Sequence, residues 1–537
     1  MKVVVILVIF HLLYLDGGVA IICHHPCPLI PLTQLNDFKK SLTGPTLSPA
    51  DVGYANASLM QNRRVTEHPG LIVYALDASD VQKTVVFSKK HSLKLAVQST
   101  GHSYVGRSTV EGGILLILSK LKQIKVELNS TRSPHGEVMV ETGNMWGGVY
   151  EEVDKYGRVV VGGSDPSVGM GGYTQGGGHS PICRSLGLAV DNLLEVKLII
   201  ADGGTVTTST SGTTIKHTNG TVINSNDADL FWALRGGGGG TWGVVLSFTF
   251  KLHLPPNNGM MTAISVFNMY ELNSGFIAPG AAVLKKYFEF LKTVDEKWGG
   301  YALYSTMPLD NTHFGTLTLD LVYFGGWTQA VQNKMDAFMA TLTTKPVYTA
   351  LKKYTSFWEY QKNVPADRGG ARIYLYNSLL QNDTDYDSLV DTLVQHAVTK
   401  PYPLLQGCTN TFIGGATRQG SEKETSISVG FRTATHSLSC FLGWGDPKYD
   451  ADGEKFGLRF GDELQKYGKA VYFNEPTEDI SDWKEATWGK DNYARLLTIK
   501  KKWDPEQLFW CHHCVGSDLP RKQYCPVCIF DDKSLVG

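Results

Sequence analysis

Three glycine-dense stretches punctuate this chain, and they limit what it can fold into more than any other feature. The first, Val97-Gln-Ser-Thr-Gly-His-Ser-Tyr-Val-Gly106, continues a strand-like run, Lys94 to Val97. The second spans residues 162–178, where eight of seventeen residues are glycine. The third, Gly236 to Gly243, lies between an apolar helix-like segment ending at Arg235 and a strand-like run from Val244. Such density costs conformational entropy that a plain turn does not require. Apolar elements abut the runs, so flexible surface linkers do not account for them. A glycine turn lets backbone approach a ligand closely and leaves N–H groups free to grip an anion such as a pyrophosphate.

At 537 residues with 42% hydrophobic content, the chain can bury large cores, and length alone suggests roughly two to four domains. A formal net charge of −1 gives no electrostatic footprint for nucleic acid or an anionic membrane. Lys2, an apolar run to Leu15 and the small residues Gly18-Val19-Ala20 fit a signal peptide cut after Ala20. The rival, a membrane anchor, needs a span of ~20 residues, and this run is shorter and interrupted by His11. Secretion is the expectation. Sequons at Asn56, Asn129, Asn219 and Asn382 agree with that route.

Of nine cysteines, Cys23 and Cys27 sit near the N-terminus and Cys511, Cys514, Cys525 and Cys528 near the C-terminus. Two C-x-x-C pairs beside His512 and His513 could form a zinc site. In an oxidising compartment disulfides are the stronger reading, and six cysteines at the two ends suggest that the ends are stapled together. Cys183, Cys408 and Cys440 remain, so at least one thiol is expected to be free.

Residues 71–253 read as alternating strands and helices. Strands are expected at 71–76, 94–97, 114–118, 138–142, 193–201 and 244–252, with helices from an N-cap at Ser79 to Lys90, over 146–156 and over 227–234. Leu254-Pro-Pro-Asn-Asn-Gly259 breaks the composition and marks a domain boundary. Beyond it, helical spacing covers Pro279 to Trp298 and Trp327 to Leu342. Alternation around Leu317, Leu319, Leu321 and Tyr323, and again over Thr425 to Phe431, predicts strands. The second domain is therefore a mixed sheet-plus-helix unit.

On these stretches the chain resembles the FAD-linked oxidases of the vanillyl-alcohol oxidase type, in the branch of berberine bridge enzyme and the oligosaccharide oxidases. The segment Asp229-Leu-Phe-Trp-Ala-Leu-Arg235-Gly-Gly-Gly-Gly-Gly-Thr-Trp-Gly-Val-Val245 resembles the family's helix, glycine run and strand almost residue by residue. Tyr472-Phe-Asn-Glu475, Trp488 to Leu496 and Trp503-Asp-Pro505 resemble its C-terminal segment, which returns to the flavin domain. The resemblance implies an α+β fold, a two-part PCMH-type FAD-binding domain with a mixed sheet-plus-helix substrate domain. It divides the chain into a signal peptide (1–20), an N-terminal segment (21–66), the FAD-binding domain (67–254), the substrate domain (255–469), the returning segment (470–517) and a cysteine-containing tail (518–537).

The resemblance also assigns roles. His102 occupies the position bonded covalently to the flavin, flanked by Ser99, Thr100, Gly101, Ser103 and Gly106. Ser164, Asp165, Ser167, Val168, Gly171, Gly172, Gly177 and Gly178 fall in the loop that wraps the cofactor, with Val245, Asn492 and Tyr493 as further FAD-binding positions. Asp165 stands where bicovalent members carry cysteine, so a single attachment through His102 is implied. Val168 matches a position where small valine admits dioxygen and bulkier leucine excludes it. A flavin oxidises a C–H bond beside a hydroxyl or amine by taking hydride while a base takes the proton. Tyr472 is the first candidate base, although a phenol of pKa ~10 needs activation to serve at neutral pH. His179 is the second catalytic candidate; a histidine satisfied by backbone is the alternative. Glu475 stands where sugar oxidases often carry a second tyrosine, which puts a carbohydrate substrate in doubt. Arg432 falls on the expected strand near 425–431, with a surface ion pair as its plainer role.

The expected activity is a secreted oxidase acting on a small alcohol, amine or hydroxylated metabolite, with dioxygen as electron acceptor and hydrogen peroxide as product. The alternatives are a dehydrogenase or oxidative cyclase with poor oxygen reactivity, and a non-catalytic binding protein on the same fold.

Overall fold

The computed structural model describes residues 11–13, 21–23, 27–271, 277–308, 313–367 and 369–530, so most of the expected signal peptide lies outside the described residues. The first sheet is small. The largely apolar strands Leu71–Tyr74, Ile114–Ile117 and Leu95–Gln98 run parallel, with Thr46–Leu47 added antiparallel at the edge. Ile114 sits in register with both Leu71 and Leu95. All four residues of the middle strand are buried, as parallel strands covered on both faces require. The crossover helix is Ala78–Lys90. Its cap is Asp77, which has extended backbone and whose carboxylate accepts the Asp80 N–H at 2.9 Å; Ser79, the expected cap, lies inside the first turn.

The second sheet has seven antiparallel strands, in the order Val222–Ser225, Gly212–Lys216, Thr205–Ser209, Leu193–Ile199, Val244–Lys251, Glu137–Glu141 and Ile124–Glu127. The expected strands at 138–142, 193–201 and 244–252 are present within a residue or two. The meander over 205–225 was not expected, because it is rich in threonine and serine and its outer strand is exposed throughout.

The third sheet also has seven strands: Tyr348–Tyr354, Met260–Glu271, His313–Tyr323, Trp298–Pro308, Leu405–Phe412, His436–Trp444 and Arg372–Leu380. Helices Pro279–Leu291, Gln329–Ala340, Tyr386–Thr399 and Asp450–Leu464 join the apolar core of one face, where Leu317, Leu319 and Leu321 meet Tyr287, Phe338, Leu389 and Phe460. The helix expected over Pro279 to Trp298 stops at Leu291, and Trp298 opens a strand. The strand expected over Thr425 to Phe431 is instead a loop leading into the short helix Val429–Thr433, because Ser428 accepts the Phe431 N–H at 3.1 Å and caps it. Arg432 therefore lies on a helix.

The chain ends are tied. Cys27 and Cys525 form a disulfide, and Ile30–Pro31 pairs in parallel with Ile529–Phe530. Cys511 and Cys514 bridge each other, so the four C-terminal cysteines do not all staple to the N-terminus. Cys408 and Cys440 bond across directly opposed strand positions, and Cys183 is a buried free thiol. Helix Lys490–Trp503 brings the C-terminus back to the third glycine run, where Lys500 Nζ donates to the Thr241 and Phe509 carbonyls, each at 2.7 Å.

Candidate active site

A cavity of about 440 Å³ opens between the glycine-rich loops and the third sheet. His102, with Ser99, Thr100, Gly101 and Ser103, lines it from the first loop. Gly101 adopts φ +82°, which lets the loop turn directly after strand Leu95–Gln98. Ser164, Asp165, Val168, Gly171 and Gly172 line it from the second loop, and Val245 lines it from the strand after the third. His179, Tyr472 and Glu475 form a further wall.

Other expected binding residues stand further back. Ser167 touches His102, Gly106 packs against Val65, and Gly177 and Gly178 sit behind Tyr472. Asn492 and Tyr493 are not brought to the cavity. The Asn492 amide donates to the Ser426 and Ile427 carbonyls, and the Tyr493 hydroxyl donates to Asp518. Both stabilise the returning helix.

Around His102 the bonding fixes a direction. The Ser167 backbone N–H and hydroxyl both donate to Asp165 Oδ1, each at 2.7 Å, and the Asp367 N–H donates to Asp165 Oδ2 at 2.9 Å. With its only proton committed, the Ser167 oxygen is an acceptor toward His102 Nε2, 3.2 Å away. This bonding favours the tautomer in which His102 carries its proton on Nε2 and keeps the lone pair on Nδ1. Burial lowers the His102 pKa, opposed by the charges of Asp165 and Asp367, so the ring stays neutral and nucleophilic.

Tyr472 is buried. Its oxygen accepts the Gly178 N–H at 2.8 Å and the Asn474 side-chain amide at 2.7 Å. Burial, then the charge of Glu475, push its pKa above the ordinary phenol value despite these donors. Glu475 Oε1 lies 2.9 Å from His179 Nε2, and Oε2 accepts from Ser439 and Ser437, with the Asn377 amide nitrogen 3.3 Å away. Burial alone would raise the Glu475 carboxyl, but His179 and the two serine hydroxyls outweigh it and hold it below the usual range.

The cavity suits FAD on two observations of its walls. Gly172 is exposed to it, and a Cβ built there would point into open space, so the missing side chain leaves room that a ligand can fill. Arg107 lines it as a cation that donates to the carbonyls of Phe473 and His512, at 2.6 and 3.0 Å, rather than to a carboxylate. Burial lowers its pKa to about 9, so an anionic ligand there would be favoured. Arg107 escaped the sequence reading although it follows Gly106 directly. Ser437, Ser439 and Asn377 escaped it too; the one signal for the two serines is alternation of small polar residues with apolar ones in His436–Trp444.

A glycine-walled, cation-bearing cavity between a two-sheet unit and a sheet-plus-helix unit defines a flavin-binding oxidoreductase. Residues 69–209 match the family described as FAD binding domain, and residues 471–516 match that described as berberine and berberine like. An uncharacterized FAD-linked oxidoreductase of Arthroderma benhamiae is 30% identical over 479 residues, covering 84% of this chain and 78% of that protein. The VAO-type flavoprotein oxidase VAO615 of Thermothelomyces thermophilus is 29% identical, covering 84% and 77%. Among solved structures, BBE-like 1 of Physcomitrella patens superposes with a TM-score of 0.73 at 20% identity, covering 91% of this chain and 99% of its own. The chain belongs to the FAD-linked oxidoreductases of the vanillyl-alcohol oxidase type, in the berberine bridge enzyme-like branch.

Proposed function

We propose that this enzyme is a secreted oxidase that oxidises a small alcohol, amine or hydroxylated metabolite and passes two electrons to dioxygen, releasing hydrogen peroxide. Its FAD is held covalently through His102 alone. The observation that carries this reading is convergence: the His102 loop, the His179 loop and the returning Tyr472–Glu475 segment all face one cavity. Bound FAD would supply a hydride acceptor there. Val168 lines the same space with a small side chain, which supports access for dioxygen. Secretion is supported by the disulfides and by the exposure of Asn56, Asn129, Asn219 and Asn382.

Purified protein should be yellow, keep its colour after acid precipitation, and release peroxide with some member of a panel of alcohols, amines and sugars. A colourless protein sinks the proposal. Rapid anaerobic reduction followed by slow reoxidation in air would make it a dehydrogenase. Loss of mass on deglycosylation of protein from the native host tests the secretory route.

Tyr472 takes the part of a donor in this scheme. A phenol oxygen has two acceptor positions, and N–H groups occupy both. Its own proton has no acceptor among the described residues, and the phenol lines the cavity. Tyr472→Phe should slow anaerobic flavin reduction by about tenfold or less, the ~1 kcal/mol of one net hydrogen bond. A loss of roughly 10²–10⁴ would return the tyrosine to the role of base.

A further inference from the structure

We infer that Glu475 is the proton acceptor of the reaction and that His179 is its positioning residue. The inference rests on the oxidase reading above. Of the three polar side chains on this wall, only Glu475 combines exposure to the cavity with acceptor capacity. Its side chain is 24% exposed and lines the cavity. Tyr472 has its lone pairs occupied. His179 turns Nε2 toward Glu475, while its Nδ1 is buried without a partner and closed off from the cavity.

A second layer fixes the carboxylate. The Asn377 amide donates to the Ser437 and Ser439 hydroxyl oxygens, each at 2.9 Å, which leaves both hydroxyl protons for Glu475 Oε2. Asn377 Oδ1 in turn accepts the Tyr472 backbone N–H at 2.7 Å, so one amide orders both the carboxylate and the phenol. Asn377 and Ser439 are opposed residues of neighbouring strands, so their spacing is set by sheet register rather than by a mobile loop. The titratable groups around Glu475 are His179, Tyr472, the half-buried Tyr104 and the buried Tyr301. Among the described residues no lysine or arginine is hydrogen-bonded to Glu475.

The chemistry balances as oxidation of an alcohol to a carbonyl. The C–H hydrogen leaves with its two electrons for the bound cofactor. The O–H bond breaks, its electron pair becomes the second C–O bond, and its proton passes to the Glu475 carboxylate. The carboxylic acid then returns the proton to solvent.

The test compares wild type with Glu475→Gln, which keeps size and removes the anionic acceptor. With flavin content unchanged, anaerobic reduction by the same alcohol should be 10²–10⁴-fold slower, and the fall in rate toward acid pH should disappear. Reduction within about threefold of wild type, with that acid limb retained, would overturn the inference while leaving the flavoenzyme intact. A wild type that carries no flavin overturns the oxidase reading itself. Ser439→Ala guards against a misfolded first variant. Losing a donor to the carboxylate raises its pKa, so the acid limb should move to higher pH, and an unmoved limb counts against Glu475. Infrared titration gives a readout apart from turnover. The carboxylic-acid C=O band absent from Glu475→Gln should appear in wild type only below the ordinary glutamic acid pKa of ~4.3; a band already present at neutral pH would show that the acceptor is not an ionised carboxylate.

Discussion

Replacing His102 by alanine is expected to yield a protein that gives up all its flavin on denaturation, whereas wild type should retain it through acid precipitation and proteolysis. The geometry specifies the bond further. With the Ser167 proton given to Asp165, the serine oxygen is placed to accept from His102 Nε2, the tautomer that leaves the free lone pair on Nδ1. Digestion should therefore give a flavin peptide containing His102, joined through Nδ1. Asp165 at the position of the second link holds Ser167 and Asp367 by hydrogen bonds and offers no sulfur. The nearest alternative nucleophile in sequence, Cys183, is buried in an apolar cluster with its thiol pKa pushed up to about 11, which makes it inert. A single adduct is expected. Flavin released from denatured wild type, a bond through Nε2, or a second adduct on the Cys183 peptide would each break part of this argument.

The parts legible in the sequence were those where local chemistry dictates local structure. Glycine density marked all three cavity loops, because only backbone without side chains can take those paths, and apolar runs beside them marked the strands. Tyr472, His179 and Glu475 could be suspected from their neighbours. What could not be read was the partnership of residues far apart in the chain. Asn377, Ser437 and Ser439 form the seat of Glu475 through strand register across the third sheet, and nothing local announces that register. Boundary errors had local causes. Asp77 outcompeted Ser79 as a cap, being one residue before the first helical turn with an extended backbone. The alternation over Thr425 to Phe431 imitated a strand, yet Ser428 starts a helix there. Asn492 and Tyr493 have the family's spacing but bond to the Ser426–Ile427 loop and to Asp518 instead of facing the cavity.

Arg432 shows how such a long-range partnership supports the site, and its removal should have the largest effect on stability. The guanidinium grips Asp191 through both nitrogens at 2.8 and 2.7 Å, and it also donates to the Thr417 carbonyl and the Thr425 hydroxyl. The arginine side chain is 6% exposed and the aspartate 17%. Removing one partner of such a pair leaves an uncompensated buried charge, typically about 3–5 kcal/mol. Asp191 keeps the Leu188 N–H and is partly exposed, so Arg432→Ala should fall near the lower end, about 3 kcal/mol in urea unfolding. The consequence reaches the cavity through backbone. Asp191 belongs to the turn Ala189–Asn192, whose Ala189 and Val190 N–H groups donate to the Gly178 and Gly177 carbonyls. Gly178 in turn presents its N–H to Tyr472, and His179 is the next residue. Loosening the ion pair should therefore loosen the wall that aligns Tyr472 and His179, so flavin reduction should slow while the proposed attachment at His102, on a different loop, persists. Arg432→Lys keeps the charge but not the fork, and should recover only part of the loss. A change in stability within ~0.5 kcal/mol, the range of an ordinary surface substitution, would show that the pair contributes nothing net.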